Sequence, residues 1–294
     1  MADTQGQADI RGIEIDKIVG GYKYAGVVLK NYANVSKTSH REIRWYSRTG
    51  GFLSAPTTTG MTVNLAADVP AKVLPVVVEN SYTRNTSYVK KYFLSSPMIS
   101  IEDLDDCDPD VWGDLIIDTV KKVNYDIDAR IYAVLSASGC LTAASTQDGW
   151  DDTATGNPFL DVSTAVQQIR VYYGQEMNAG LKPILYINSI ENRNLLNWIV
   201  TVKGSSFPQV AGEKLTSGVV TKFAECDVIV SENATTDQAL VFLDKFSVDW
   251  KEFIPLTSAV EDFPGRGKTV LVWAEGEAIR KHPYSVYKIT DTVT

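Results

Sequence analysis

Histidine and cysteine are nearly missing from this chain of 294 residues: it holds two of the first and three of the second. His40 and His282 stand far apart, and Cys107, Cys140 and Cys226 are widely spaced. No CxxC, HxxxH or HExxH spacing occurs, so a zinc site would need ligands scattered across the chain. An odd, dispersed set of cysteines also argues against a disulfide framework. Free cysteines of this kind are usually packing residues. No metal and no cofactor is expected.

Long hydrophobic runs are missing too. No apolar stretch approaches the ~20 residues that span a bilayer, and the opening MADTQGQADI has neither the basic nor the apolar region of a secretory signal. The expectation is a protein made inside a cell, with no membrane partner. Excess positive charge is also lacking: 28 Lys and Arg stand against 36 Asp and Glu, a net charge of −8. A surface of that sign repels phosphates, which excludes a dedicated reader of nucleic acid. It suits a container that must not stick to packaged nucleic acid. With 44% hydrophobic and 22% charged residues the composition is that of an ordinary folded protein. At ~150 residues per domain the length allows two domains or one large one, enough for a sizeable core.

Catalytic signatures are equally scarce. No GxSxG elbow occurs, and a Ser-His-Asp triad could draw only on His40 or His282, neither near a nucleophile motif. GRGKT at 265–269 ends like a phosphate loop, but Asp262 stands where the loop's first glycine belongs. The following VLVWAEG alternates like a strand, whereas a phosphate loop must enter a helix. This reads as a glycine turn before a strand. The carboxylates of 102–128 are too dense for a tuned acid and base. No enzyme active site emerges.

What is present is an unusual order of parts. Residues 1–36, with five glycines and balanced charge, read as an extended arm that needs a surface to lie on. In 37–95, REIRWYS (41–47), MTVNL (61–65), KVLPVVVE (72–79) and SYVKKYFL (87–94) read as strands, separated by turn-rich polar segments. A long hairpin this thin in apolar residues leans on a partner. Its eight cations and three acids give net +5 within an acidic protein.

A long helix is expected at 109–138, with Asp108 as N-cap, Pro109 at the first position and Gly139 as the stop. Val111, Leu115, Val120, Val123, Ile127, Ile131, Val134 and Leu135 supply its apolar stripe. Ten acids face two lysines in 101–128, net −8. Acids crowd helix starts because the dipole favours them, each by ~0.3–1 kcal/mol. They could equally form a docking surface for the basic hairpin of a neighbouring copy, and both readings stand. Beyond it, 141–158 reads as an exposed polar loop. Helices are expected at 160–177 and 190–200 and strands at 184–188, 226–232, 238–244, 268–276 and 284–290, the last two pairing back onto the long helix. Such alternation marks an α+β or α/β chain.

The stretches REIRWYSRTGGFLSAPTTTG (41–60) and NSYTRNTSYVKKYFLSSPMISIEDLDDCDPDVWGDLIIDTVKKVNYDIDARIYAVL (80–135) resemble the major capsid proteins of tailed bacteriophages and related viruses. The resemblance implies the α+β Hong Kong 97 type fold: an N-terminal arm (1–36), an E-loop region (37–95), a peripheral domain (96–182) with its spine helix (109–138), an axial domain (183–260), and return strands of the peripheral domain (261–294). It implies a shell of pentamers and hexamers around double-stranded DNA held without sequence-specific binding, in a virion assembled in the host cytoplasm. A portal protein, a separate scaffold and a cement protein are the implied partners besides the chain itself. No leading scaffold segment and no Lys–Asn crosslinking pair is identified.

The charge pattern then offers a contact: Arg41, Arg44, Arg48, Arg84, Lys90 and Lys91 of one copy against Asp103, Asp105, Asp106, Asp108, Asp110 and Asp114 of a neighbour. An encapsulin shell of the same fold is the alternative. A soluble α/β enzyme, which would need a pocket of converging titratable groups, and a tail-tube protein, disfavoured by the long helix, are further readings.

Overall fold

The computed structural model describes residues 29–50, 81–102, 111–146, 148–152, 154–201 and 220–293. Asp103, Asp105, Asp106, Cys107, Asp108, Pro109 and Asp110, the strands expected at 61–65 and 72–79, and most of the arm lie outside them.

A short 3-10 helix, Leu29–Tyr32, leads into β1 (Asn34–Lys37). Strands β2 (Glu42–Gly50) and β3 (Ser81–Tyr88) form a two-stranded antiparallel ribbon. At Val89 the chain leaves the ribbon, and β4 (Lys90–Ser95) and β5 (Ile99–Ser100) both join a different, five-stranded sheet. So the segment 87–94, which reads as one strand, is divided between two sheets.

Helix α1 (Val111–Leu135) follows, then β6 (Leu141–Ala144), α2 (Pro158–Asn178), β7 (Pro183–Ile187) and α3 (Ser189–Thr201). Strands β8 (Lys222–Phe223), β9 (Cys226–Val230) and β10 (Gln238–Leu243) precede the long pair β11 (Asp249–Phe263) and β12 (Gly267–Ile279), and β13 (Val286–Thr290) ends the fold.

The five-stranded sheet runs β1-β11-β12-β4, with β5 also on β12. The six-stranded sheet runs β6-β13-β10-β7-β9-β8. Helix α1 joins the two. Its residues Val123, Ile127, Ile131 and Leu135, spaced by four and at most 2% exposed, form one face of the helix. They share a core with Val270, Val272 and Ala274 of one sheet and Ile184, Tyr186, Leu240 and Phe242 of the other. Each such aliphatic side chain contributes ~1.5–3 kcal/mol by leaving water.

Period-two alternation sends Leu185, Ile187, Ala239, Val241, Tyr287 and Ile289 to the opposite face, where Val162, Val166 and Ile169 of α2 and Leu195 and Trp198 of α3 complete a second core. Strands buried on both faces need an interior place in the sheet. Strand β13, expected to pair back onto the long helix, has such a place between β6 and β10.

Two further expectations are corrected. The segment 141–158 is not simply an exposed loop. Leu141–Ala144 pairs in parallel with β13, and Trp150 is fully buried, its Nε1 donating to Asp161 at 2.9 Å. The same carboxylate takes the Thr146 N–H and the Ser145 hydroxyl, both at 2.9 Å. Strand β11 lies where no element is expected, in a stretch whose apolar alternation Pro255 and the acids Glu252, Glu261 and Asp262 interrupt. The structure accommodates Pro255 where the register with β12 shifts, between Ile254 and Thr257, beyond the end of β1.

The glycine turn at 264–266 does connect two strands, β11 and β12. Gly265 has φ +72° and Gly267 φ +152°, and a Cβ on Gly267 would strike the Ile99 carbonyl. Helix α1 stops at Leu135, short of Gly139, whose φ is +86°.

Candidate assembly interface

The ribbon's register divides its side chains. Opposite residues share a face: Glu42 with Tyr88, Arg44 with Thr86, Tyr46 with Arg84, and Arg48 with Tyr82 on one side; Ile43 with Ser87, Trp45 with Asn85, and Ser47 with Thr83 on the other. The second face looks inward. Ile43 is buried, Asn85 Nδ2 donates to Ser47 Oγ at 2.9 Å, and a groove of about 450 Å³ separates Trp45, Asn85 and Ser87 from Arg130, Ala133 and Val134 of α1.

The first face looks outward. Tyr46, Tyr82 and Tyr88 are 65%, 58% and 64% exposed, between the exposed Arg44 and Arg84. Tyrosine and arginine are the residues that carry binding energy in protein interfaces. The arginines are visible in the charge count. Tyr46 and Tyr88 fall in segments that read as strands and Tyr82 in 81–87, which reads as a turn; the structure makes 81–88 a strand, and period-two spacing then puts all three tyrosines on the arginine face.

The six candidate cations have different fates. Arg41, at the ribbon's root, is committed within the chain: its Nη2 lies 3.1 Å from Glu275, and its guanidinium sits 4.9 Å from the Phe253 ring. The Val89 N–H donates to the Arg41 carbonyl at 2.9 Å, closing the root. Arg44 forks onto Glu42 at 2.6 and 2.9 Å. That hydrogen bond lowers the Glu42 carboxyl below its ordinary pKa and raises the guanidinium.

Arg48 stands opposite Tyr82 in register. Arg84 and Lys90 are exposed and form no ion pair among the described residues, and Lys91 lies 4.8 Å over Phe93. On the acidic side, Asp114 occupies the first turn of α1, half-buried, and no ion pair joins it to these cations. Asp114 is the one candidate acid among the described residues, and it is not joined there to the candidate cations.

Other acids hold the chain's own parts together. Asp128 of α1, 2% exposed, accepts the N–H groups of Leu29 and Lys30. Along the β11–β12 pair, four acids each take a cation from a different element. Lys30 reaches Glu252 at 3.0 Å, Arg41 reaches Glu275, Arg130 of α1 pairs with the wholly buried Glu277, and Lys281 reaches Asp249 at 2.5 Å. The acids are largely buried while their cations stay partly exposed, so removing a cation strands a charge away from water. The arm's root, the ribbon's root and the helix are thereby tied to one strand pair.

No group of three or more His, Cys, Asp or Glu among the described residues could hold a metal ion, and none of the described helices is long and apolar enough to cross a membrane. No family model matches the sequence, and no curated protein is similar to it in sequence.

The fold is similar to solved structures over nearly its whole length. A chain of Mycobacterium phage Che8 superposes with TM-score 0.66 at 12% identity, covering 96% of this chain and 97% of its own. The capsid of a native GTA particle gives 0.64 at 13% identity, with 100% of both chains covered. A virus-like particle from Pyrococcus furiosus gives 0.57 at 16% identity, covering 90% and 92%. These chains share one fold over most of their lengths, and this chain has the α+β Hong Kong 97 type fold.

Proposed function

We propose that this chain is the major capsid protein of a tailed double-stranded DNA virus, and not an enzyme. Copies form pentamers and hexamers that tile a closed icosahedral shell, assembled in the host cytoplasm and retained in the virion. In this reading 1–36 is the arm and 37–95 the E-loop region. The five-stranded sheet with α1 is the peripheral part, and the six-stranded sheet, with most of 183–260, is the axial part.

The observation that carries the proposal is the ribbon. It projects an outward face of three exposed tyrosines and the cations Arg44 and Arg84, a surface suited to another copy. Exposed ion pairs are each worth only ~0–1 kcal/mol. The charges therefore set register and partner, while the tyrosines and repetition over many copies supply strength. Net charge −8 suits a shell that packs and releases DNA without binding it. A portal, a separate scaffold and a cement protein would complete the particle.

A second reading, an encapsulin-type shell around an enzyme, is favoured by the likeness to the virus-like particle from Pyrococcus furiosus. Cryo-electron microscopy of the large-particle fraction of the expressed protein separates them. Closed shells or capsomer rings are expected, with DNA and a portal vertex in particles from infected cells. Shells filled with protein cargo would select the second reading. A chain that stays monomeric even beside its viral neighbours would overturn both.

A further inference from the structure

The order of the described elements takes the chain between its two sheets three times, at 136–140, 244–248 and 280–285, and these crossings bind one another. Arg280 donates from Nη1 to the carbonyls of Leu135 and Ala137, both at 2.9 Å, and from Nη2 to that of Ser138 at 2.6 Å. It thereby closes the C-terminal end of α1, where a cation is favoured. Ser247 Oγ donates to the Ser285 carbonyl at 3.1 Å, and the two hydroxyls lie 2.9 Å apart.

At the centre the His282 ring lies flat on Phe246, 4.3 Å between centroids and 10° between planes, with the Tyr173 ring edge-on at 5.8 Å. Tyr173 is where α2 departs from helical geometry, with φ −129° and ψ 34°.

Histidine is the one side chain whose ordinary pKa falls between about pH 5 and pH 8. Of the two in this chain, His40 is exposed and His282 is half-buried in this aromatic stack. Every element around it bears on its charge. Burial among Phe246 and Tyr173 opposes the cation, as does Lys281 beside it, while Asp249 of β11 and Glu176 of α2 favour it; the first two prevail and hold the imidazole below its ordinary pKa.

We propose that His282 is an acid-sensitive clamp on the crossing between the two sheets. Neutral, the ring seats 280–285 against the turn at 244–248. Protonated, it needs water, leaves the Phe246 face, and frees the crossing, while the core shared by α1 and both sheets stays packed. The sign follows from linkage: a base that is harder to protonate when clamped loses clamp stability as pH falls through its titration range. The proposal does not depend on shell formation.

Backbone hydrogen exchange read by mass spectrometry on the full chain tests it, at about pH 7.5 and about pH 5, corrected for the intrinsic pH dependence of exchange. Peptides covering 244–248 and 280–287 should open roughly tenfold more often in acid, and those of α1 should not change. His282→Phe, which keeps a flat ring without a titrating group, should abolish the acid effect, and His40→Phe should retain it. Acid opening that persists in His282→Phe, or its absence from the unaltered protein, overturns the proposal. Should His282→Phe fail to fold, C2-hydrogen exchange of the histidines in the unaltered protein decides. Exchange at His282 slower than at His40 near neutrality and converging on it in acid supports the clamp, and equal rates at both pH values overturn it.

Discussion

The carboxylate of Asp128 in α1 accepts the backbone N–H of Lys30 at 3.1 Å, and that of Leu29 at 3.3 Å, across 98 and 99 residues of sequence. An acid that the charge count places in a helix-start cluster is instead the anchor of the arm's root. Charge-assisted hydrogen bonds of this kind are worth ~1.5–3 kcal/mol, and their loss leaves buried donors unpaired. Asp128→Ala should therefore destabilise the chain by about 2–3 kcal/mol, read as a lower midpoint in denaturant. Hydrogen exchange should quicken at 29–37 before it does in α3. An unchanged midpoint would mean that the arm's root is held by β1 pairing alone.

Arg130 and Glu277 make a second long-range tie. Arg130 Nε donates to Glu277 Oε1 at 3.0 Å, and Nη2 reaches the same oxygen. Since Glu277 is fully buried, Arg130→Met should cost ~3–5 kcal/mol by stranding its charge. The double change Arg130→Met with Glu277→Leu should recover much of that loss. A double-mutant cycle on urea unfolding gives the answer, and strictly additive losses would contradict the pairing.

Thiol chemistry reports on the second core. Burial pushes the Cys226 thiol from an ordinary 9.0 up to about 12, because the thiolate is costly among Leu185, Val241 and Phe223. The folded state keeps this proton more tightly than the unfolded chain does. Its contribution is therefore complete below about pH 9 and is lost as pH climbs toward 12. At pH near 8 an alkylating reagent should leave Cys226 unmodified in the native protein and modify it in denaturant. Native modification, located by peptide mapping, would show that this core opens.

The ribbon separates folding from assembly. Charge reversal at Arg84 of the ribbon and at Lys90, where β4 begins, to Glu should leave the thermal midpoint of the subunit within about 2 °C, since exposed substitutions rarely exceed ±0.5 kcal/mol, yet impair particle formation at ordinary salt. Shells that form normally would leave Asp103, Asp105, Asp106, Asp108, Asp110 and Asp114 with a plain helix-start role. Replacing Tyr46, Tyr82 and Tyr88 by Ser should impair assembly more than the charge reversal does, because burying an aromatic side chain outweighs an exposed ion pair. Sedimentation of the purified variants reads both effects.

Local patterns made much of the fold legible. The apolar stripe of α1 appears in the sequence at the spacing that its buried residues keep, and β7, β9 and β10 announce themselves as short apolar runs bounded by polar turns. Helix α2, expected from 160, starts two residues earlier at Pro158, where Asn157 Oδ1 caps it by accepting the Leu160 N–H at 3.2 Å. The misses share a cause. Strand β11 hides behind Pro255 and surface acids, and Trp150 sits among polar residues that read as loop. Neither residue's neighbours in sequence are its neighbours in space.

The candidate interface divides in the same way. Its cations were countable, but only register showed that three tyrosines share their face, and only contacts showed that Arg41 and Asp128 serve the chain itself.

The sequence by itself determined the order of the parts, the long helix, the thin basic hairpin and the want of any catalytic or metal-binding pattern, because these depend on residue type and on spacing within a few positions. Tertiary structure alone decided which sheet each strand enters, which charges are spent inside the chain, and which ring meets His282. Those outcomes depend on pairings far apart in sequence, such as Phe246 with His282 and Arg41 with Glu275. No local propensity encodes such pairings, and they are selected only when both faces of a sheet and every buried charge find partners at once.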